Sequence, residues 1–213
     1  MITQMRAAIF DLDGVIVDTA KYHYLAWKRL ANSLGFDFSE SDNERLKGVS
    51  RVRSLEVLLG IGGVTLDEAA KAEAAARKNA WYVDYISNLD AGEILPGAAD
   101  YLRALRSRGV KTALGSASKN APLILERLGI TPLFDVIVDG NKVSQAKPDP
   151  EVFLRAAAEL ATPPASCVVF EDAEAGIQAA LRAGMGVVGI GKPARLQEAD
   201  MVIEGLYQLV ILN

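Results

Sequence analysis

The sequence predicts an α/β protein: a doubly wound, Rossmann-like parallel sheet as the core, with an inserted helical cap domain. Short apolar runs alternate with amphipathic helical patterns, and most of the runs lack polar–apolar alternation. Such runs suit strands that are buried on both faces, and their alternation with helices indicates right-handed βαβ units. One long helical stretch interrupts this order. The chain of 213 residues has room for one domain with a large insertion or for two small domains.

Five apolar runs are the predicted strands of the core, and they lie at residues 7–10, 110–114, 136–138, 167–170 and 186–190. Helical patterns between or after them lie at residues 98–107, 120–128, 151–160 and 173–183. Proline near the start and glycine just past the end mark several of these helices. The apolar end of the chain, residues 206–213, is too short for a helix to be assigned there.

The stretch from about Asp18 to Gly92 holds no convincing apolar strand, and we interpret it as a helical insertion after the first strand. One helix face in it carries apolar residues at i, i+3, i+4 and i+7, namely Trp27, Leu30, Ala31 and Leu34. Residues 65–68 have the pattern of a capping box that opens an alanine-rich helix to about Ser87. The predicted division is a core of residues 1–17 and 93–213 and a cap of residues 18–92.

Composition excludes several classes of function. The formal net charge of −4 argues against a nucleic-acid partner. With one cysteine, Cys167, and one histidine, His23, the chain cannot form an internal disulfide or a Cys/His zinc site. No membrane-length apolar stretch and no targeting pattern is visible. We therefore expect a cytoplasmic protein without a membrane partner, and a monomer because no long heptad pattern occurs.

Polar side chains follow the predicted strands at the edge where parallel α/β sheets bind their ligands. In chain order they are Asp11, Asp13, Ser116, Lys147, Glu171 and Asp172. Four carboxylates at one edge repel each other unless a cation lies among them, and hard oxygen ligands in this number suit Mg²⁺. Ser116 and Lys147 are suited to phosphate oxygens. Purely structural roles stay open for the single residues. Ser116 and Asp172 could be helix N-caps, and Lys147 could be a solvated surface charge.

Two aspartates separated by one residue can divide the chemistry of phosphoryl transfer between them. One carboxylate can attack phosphorus and become an aspartyl phosphate, while the other moves a proton to or from the substrate oxygen. Such a reaction needs no histidine, because positioning and charge neutralisation do most of the work. A lone Asp-x-Asp is more often a turn or a helix cap, but its coincidence with the other strand-end residues favours catalysis.

The segments Asp11–Val15, Ser116, Lys147-Pro148 and Glu171-Asp172 with Gly176 resemble, in order, the four core motifs of the haloacid dehalogenase superfamily of phosphotransferases. The resemblance implies that Asp11 is the nucleophile and Asp13 the general acid/base. It implies metal ligation by the Asp11 carboxylate, the Asp13 backbone carbonyl and Asp172, with Glu171 bound directly or through water. Ser116 and Lys147 would hold the transferring phosphate, and the insertion would be the family's helical cap.

Further segments are similar to the sugar phosphomutases of this superfamily: residues 18–23 with Trp27, residues 46–51 with Ser54, residues 77–79, and residues 116–120. The substrate-binding residues that this similarity implies are Thr19, His23, Trp27, Lys47, Gly48, Val49, Ser50, Arg51, Ser54, Lys78, Ala117, Ser118, Lys119 and Asn120. Of these, Arg51 and residues 118–120 would clamp the distal phosphate of a bisphosphate. His23 is expected to link closure of the cap to the orientation of Asp13.

The implied activity is a Mg²⁺-dependent isomerase that interconverts β-D-glucose 1-phosphate and D-glucose 6-phosphate. It would act through an aspartyl phosphate, with glucose 1,6-bisphosphate as activator and intermediate. A sugar-phosphate phosphatase on the same core is the first alternative. A non-enzymatic phospho-receiver is the second, and it is disfavoured because it needs neither a proton-transfer group such as Asp13 nor a cap. The aromatic residues Trp81, Tyr82 and Tyr85 are expected to pack in the cap.

Overall fold

The structure is a computed structural model that describes residues 5–46 and 49–211. Within these residues one parallel sheet has the strand order β3-β2-β1-β4-β5-β6. Its strands are β1 Ala7–Phe10, β2 Lys111–Gly115, β3 Val136–Val138, β4 Cys167–Glu171, β5 Gly186–Ile190 and β6 Met201–Ile203. The predicted fold class, a doubly wound parallel sheet with a helical insertion, is confirmed.

Strand β1 lies at the centre of the sheet, between β2 and β4, and it is buried on both faces. Its alternate residues enter different apolar clusters: Phe10 packs with residues of the helices on one side, and Ile9 with those on the other. The helices of the chain are α1 Ala20–Ser33, α2 Glu40–Asn43, α3 Arg51–Gly62, α4 Glu68–Ile86, α5 Ala98–Ser107, α6 Ala121–Arg127, α7 Glu151–Glu159, α8 Glu174–Arg182 and α9 Tyr207–Ile211. Helices α5, α6 and α9 cover one face, and α7 and α8 cover the other.

Helices α1 to α4 follow β1 and pack around an apolar cluster of their own, which includes Trp27, Leu30 and Leu58. The two connections between this helical unit and the sheet run side by side. Val17 forms an antiparallel bridge with Ile94, and the Leu95 amide donates to the Ile16 carbonyl at 2.9 Å. The helical unit therefore joins the core through a short paired hinge.

Three details differ from the sequence-based expectations. A sixth strand, β6, adds to the edge of the sheet beside β5; it has three residues, and none of them is buried. The terminal segment does form a helix, α9. The predicted capping box at residues 65–68 is not formed: the N-cap of the alanine-rich helix is Asp67, whose side chain accepts from the Ala70 amide at 2.8 Å, and the helix begins at Glu68. No helix within residues 5–46 and 49–211 has the length and apolar character needed to cross a bilayer.

Candidate active site

Polar side chains lie at the carboxyl edge of the sheet because the hydrogen bonds between strands continue one residue beyond the ends of β1 and β2. The Asp11 amide donates to the Phe170 carbonyl at 2.9 Å, and the Ser116 amide donates to the Val138 carbonyl at 3.0 Å. The N-caps of the following helices are Asn120 and Ala173. Ser116 and Asp172 are therefore not helix caps, and that interpretation of them is wrong.

Lys147 reaches from its loop into the carboxylates of this edge. Its Nζ lies 2.6 Å from Asp11 Oδ1 and 2.8 Å from Glu171 Oε2. The side chains of Lys147 and Glu171 are 1% and 0% exposed. Burial alone would lower the pKa of Lys147, but the carboxylates of Asp11 and Glu171 outweigh it and raise that pKa. Lys147 is thus a buried cation of the site and not a solvated surface charge.

The carboxylates outnumber the cation that they surround. Oxygens of Asp11, Glu171 and Asp172 lie within 4.8 Å of one another. Burial, followed by the neighbouring Asp11 carboxylate, raises the pKa of Glu171 to about 8, so the cluster is short of positive charge. Hard carboxylate oxygens with surplus negative charge are the donor set that Mg²⁺ prefers. These residues therefore fit the metal that the sequence implies.

Two glycines allow the carboxylates to lie directly against the backbone. A Cβ on Gly14, which has φ of +79°, would come within 2.2 Å of Asp172 Oδ2. A Cβ on Gly176, in the first turn of α8, would come within 2.0 Å of the Glu171 carboxylate. Any side chain at either position would displace a carboxylate of the cluster, so these glycines are part of how the site is built.

Asp13 is held in a different environment from Asp11. Its Oδ1 is buried and has no hydrogen-bond partner among residues 5–46 and 49–211. Burial, followed by the charge of Asp11, raises the pKa of Asp13 to about 8. Asp13 is therefore largely protonated at neutral pH, which is the state that a general acid requires.

A cluster of side chains from α1 and α4 lies close to Asp13. Lys78 Nζ is 2.9 Å from His23 Nδ1 and stands over the rings of Trp27 and Tyr82, 4.5 and 4.7 Å from their centroids. Burial, followed by the charge of Arg51, lowers the pKa of Lys78 to about 7. Burial and then Lys78 hold the pKa of His23 well below its usual value, so His23 is neutral, with its Nδ1 at hydrogen-bond distance from Lys78 Nζ.

The loop after β2 is held by its own hydrogen bonds. Ser116 Oγ accepts from the Ser118 amide at 3.1 Å, and Ser118 Oγ accepts from the Asn120 amide at 3.3 Å. Asn141 Nδ2 donates to the Lys119 carbonyl at 3.0 Å, while the Lys119 side chain is exposed. Ala117 lies half-buried between the two serines. The loop thus presents a fixed set of polar groups beside the strand edge.

The segment before α3 borders the core at a cleft of about 730 Å³ that Val49 and Asp172 both line. Ser50 is the N-cap of α3 and accepts from the Arg53 amide at 3.3 Å, while Ser54 is buried in the same helix. Arg51 is half-buried, and its positive charge lowers the pKa values of His23 and Lys78. The predicted substrate residues Lys47 and Gly48 lie outside the described residues.

Two residues of this region were not among the predicted site residues. Asn79 Oδ1 accepts from Asn120 Nδ2 at 2.9 Å, and the Tyr82 ring stacks on His23 with centroids 4.0 Å apart. Asn79 follows Lys78 in the segment that resembles the mutase cap. Tyr82 lies four residues after Lys78 and so shares its helix face. That spacing could have pointed to Tyr82, which was expected only to pack among the other aromatic residues of the insertion.

A family model described as haloacid dehalogenase-like hydrolase matches residues 5–184. The chain belongs to this family. Among curated members, the β-phosphoglucomutase of Bacillus subtilis is 46% identical over 209 residues, which cover 97% of this chain and 92% of that protein. A phosphorylated carbohydrates phosphatase of Thermotoga maritima is 32% identical and covers 85% of this chain and 82% of its own. A crystal structure of β-phosphoglucomutase from Clostridium difficile superimposes with a TM-score of 0.93 at 43% identity, covering 96% and 93% of the two chains.

Proposed function

We propose that this protein is a phosphomutase that interconverts β-D-glucose 1-phosphate and D-glucose 6-phosphate. The observation that carries the proposal is the 46% identity to the Bacillus subtilis β-phosphoglucomutase over 97% of this chain, which covers the cap as well as the core. The match over the cap matters because mutases and phosphatases share the chemistry of the core. The cap determines whether a sugar hydroxyl or water reaches the aspartyl phosphate as the acceptor.

Asp11 and Asp13 would divide the reaction. The Asp11 carboxylate attacks phosphorus, and the bond from phosphorus to the sugar oxygen breaks as Asp13 gives its proton to that oxygen. In the other half-reaction the free 6-hydroxyl of β-D-glucose 1-phosphate gives its proton to Asp13 and takes the phosphoryl group from phosphorylated Asp11, which forms glucose 1,6-bisphosphate. The bisphosphate then gives its 1-phosphoryl group to Asp11 by the first step, and D-glucose 6-phosphate leaves. The raised pKa of Asp13, about 8, supports this role because the group can both lose and regain a proton near neutral pH.

Lys147 and the neighbouring carboxylates would set the charge of the site. We propose that Asp11, the Asp13 carbonyl and Asp172 hold Mg²⁺, with Glu171 bound directly or through water. Mg²⁺, when bound, would neutralise phosphoryl charge that otherwise repels the Asp11 carboxylate. Lys147, which bonds Asp11 and Glu171, would hold the transferring phosphoryl group together with the Ser116 hydroxyl.

The helical unit would act as a cap over the reaction, with the division at residues 18 and 92 proposed above. Lys78, His23 and Arg51 bring two basic groups and a neutral imidazole close to the Asp13 carboxyl group. These groups suit the hydroxyls and the distal phosphate of a sugar phosphate. We propose that the remaining predicted substrate residues, from Thr19 and Trp27 to residues 117–120, complete this surface.

Product analysis tests the proposal. The protein is given β-glucose 1-phosphate or α-glucose 1-phosphate, with Mg²⁺ and with or without trace glucose 1,6-bisphosphate, and glucose 6-phosphate and inorganic phosphate are followed in parallel. We expect glucose 6-phosphate from the β anomer alone, faster with bisphosphate, and little inorganic phosphate. An Asp11→Asn variant is the control for contaminating enzymes. Rapid release of inorganic phosphate without glucose 6-phosphate would overturn the mutase assignment.

That last outcome would favour the second candidate, a sugar-phosphate phosphatase. The observation behind it is the 32% identity to the Thermotoga maritima phosphatase over 85% of this chain. In a phosphatase, water activated by Asp13 would take the phosphoryl group from Asp11.

We also propose that the protein is cytoplasmic and monomeric. Sedimentation of the purified protein would test the monomer.

A further inference from the structure

Two side-chain pairs away from the hinge join the cap to the core among the described residues. Arg195 donates to Glu44 at the surface, and Asn120 donates to Asn79 where both side chains are half-buried. The arginine and glutamate side chains are 66% and 37% exposed, so water and salt screen that ion pair. The pair of asparagines is the better protected link, and it meets the loop that follows β2.

The geometry of the asparagine pair restricts how the Asn120 amide can be oriented. Asn120 Nδ2 donates to Asn79 Oδ1 at 2.9 Å, which uses one of its two N–H groups. Because the amide is planar, this bond also fixes the direction of the second N–H and of Asn120 Oδ1. If the Asn120 amide alone turned over, two carbonyl oxygens would face each other. The orientations of Asn79 and Asn120 are therefore tied together, and with Asn79 Oδ1 as the acceptor only one orientation of Asn120 keeps the bond.

The selected orientation matters for an anion. A phosphate oxygen accepts hydrogen bonds, so the second N–H of Asn120 can bind it, whereas an amide oxygen at the same place would repel it. The rest of the loop is already held from the core side, since Ser118 accepts from the Asn120 amide and Asn141 bonds the Lys119 carbonyl. The Asn120 side chain is held from the cap side, by Asn79.

We propose that Asn79 is a positioning residue of the phosphotransfer reaction: with the cap seated on the core, its carbonyl orients the Asn120 amide toward the distal phosphate of the substrate. The inference rests on the proposed function only in assuming a substrate with a phosphate remote from the reacting one. Asn79 itself touches neither phosphate. Binding of the distal phosphate and seating of the cap are coupled, because each supports the same orientation of Asn120.

The test compares two phosphoryl donors on the variant Asn79→Ala. Alanine favours a helix, so the change leaves α4 intact. Acetyl phosphate has a single phosphoryl group and no distal one, and its phosphorylation of Asp11 is followed by intact mass and by inorganic phosphate release. We expect its rate constant to stay within about two-fold of the unchanged protein. The KM for β-glucose 1-phosphate, measured with bisphosphate present, should rise about three- to ten-fold, with a smaller change in kcat.

A double-mutant cycle shows whether Asn79 acts through Asn120. Asn120→Ala should also raise the KM, and Asn79→Ala should have no further effect in that background. Asn88→Ala removes an exposed asparagine just beyond the C-cap of α4, whose side-chain amide bonds the Asp84 carbonyl among the described residues, and it should change neither KM nor the acetyl phosphate reaction. This variant controls for the loss of an asparagine as such.

Three results would overturn the inference: an unchanged KM in Asn79→Ala, an equal loss with acetyl phosphate, or effects of the two substitutions that simply multiply. If the protein releases inorganic phosphate and forms no glucose 6-phosphate, the mutase proposal fails. The same comparison is then made on hydrolysis of glucose 1,6-bisphosphate against acetyl phosphate. The contribution of Asn79 is thus decided whichever reaction the protein performs.

Discussion

Replacing Lys78 with methionine should make the protein more stable at neutral pH and less active. The ammonium group of Lys78 is buried, with the residue 2% exposed, and among the described residues the nearby Asp13 carboxylate offsets only part of the effect of burial and of the Arg51 charge on its pKa. The ammonium group contacts the neutral imidazole of His23 and two aromatic rings. Methionine has a similar length and shape without the charge, so it removes the cost of desolvation and keeps most of the packing.

The pKa of Lys78 sets the magnitude. Its displacement from 10.5 to about 7 corresponds to a penalty of about 5 kcal/mol when the group is charged in both states, at about 1.4 kcal/mol per pH unit. The methionine variant also loses the contacts of the ammonium group with His23 and the two rings, which lowers its stability by about 1–2 kcal/mol. We therefore expect Lys78→Met to raise the free energy of unfolding by about 2–4 kcal/mol at pH 6.5.

The pH dependence has a definite sign. Between pH 7 and 10.5 the folded chain holds Lys78 neutral while the unfolded chain holds it charged, so the unfolded state binds more protons and stability rises with pH. The advantage of the methionine variant should therefore shrink as pH rises, by about 3 kcal/mol between pH 7 and 9.5. Taking the difference between the two proteins cancels the titration of shared groups that Lys78 does not influence; Asp13 and His23, whose pKa values the Lys78 charge lowers, are the exceptions.

Urea unfolding at several pH values from 6.5 to 9.5, followed by circular dichroism, measures this difference. Lys71→Met is the matched control, because Lys71 lies two turns earlier on the same helix and bonds Glu68 at the surface. It should change stability by less than about 0.5 kcal/mol. A Lys78→Met protein that is less stable than the parent at pH 6.5, or whose difference does not change with pH, would refute the argument.

Other expectations concern the carboxylates and the glycines of the site. Asp11→Asn should abolish the phosphoryl mass increase that acetyl phosphate gives, and chelation of Mg²⁺ should stop turnover reversibly. Because the pKa of Asp13 is about 8, the rate of Asp11 phosphorylation by a sugar bisphosphate should fall as pH rises through that value; Asp13→Asn should remove this dependence and slow the step by about 10²–10⁴. Gly176→Ala should weaken Mg²⁺ binding in a calorimetric titration and lower stability by about 1–3 kcal/mol, since its Cβ would meet the Glu171 carboxylate. Gly60→Ala, in an open helical position, should instead stabilise by about 0.5–1 kcal/mol.

The catalytic edge of the sheet could be predicted because its residues follow from strand position alone. Asp11, Ser116 and Glu171 end apolar runs, and parallel strands bring their carboxyl ends to one edge whatever the loops do. The strand β6 was missed for the opposite reason. Its three residues are partly exposed and lie at the sheet edge, so they carry no long apolar run, and only their pairing with β5 identifies them.

Contacts between the cap and the core were beyond the reach of the sequence. The pattern of α4 shows that Lys78 and Tyr82 share a helix face, but it does not show that this face turns toward His23 and Asp13. The pairing of Asn79 with Asn120 depends on the position of the cap relative to the core. The hinge and contacts between residues that are distant in the sequence determine that position. Motif resemblance pointed to the segment, and only the structure pairs the two amides.

The central position of β1 has a consequence for how the chain folds. This strand comes first in the sequence, yet its neighbours β2 and β4 follow about 100 and 160 residues later, so the middle of the sheet is closed by the most distant pairings of the fold. Helices α1 to α4 contact one another over much shorter separations. During synthesis we expect these helices to assemble while the first strand still lacks both partners. The segment that carries Asp11 and Asp13 would then be among the last parts of the molecule to take its final form, once β4 has emerged and docked.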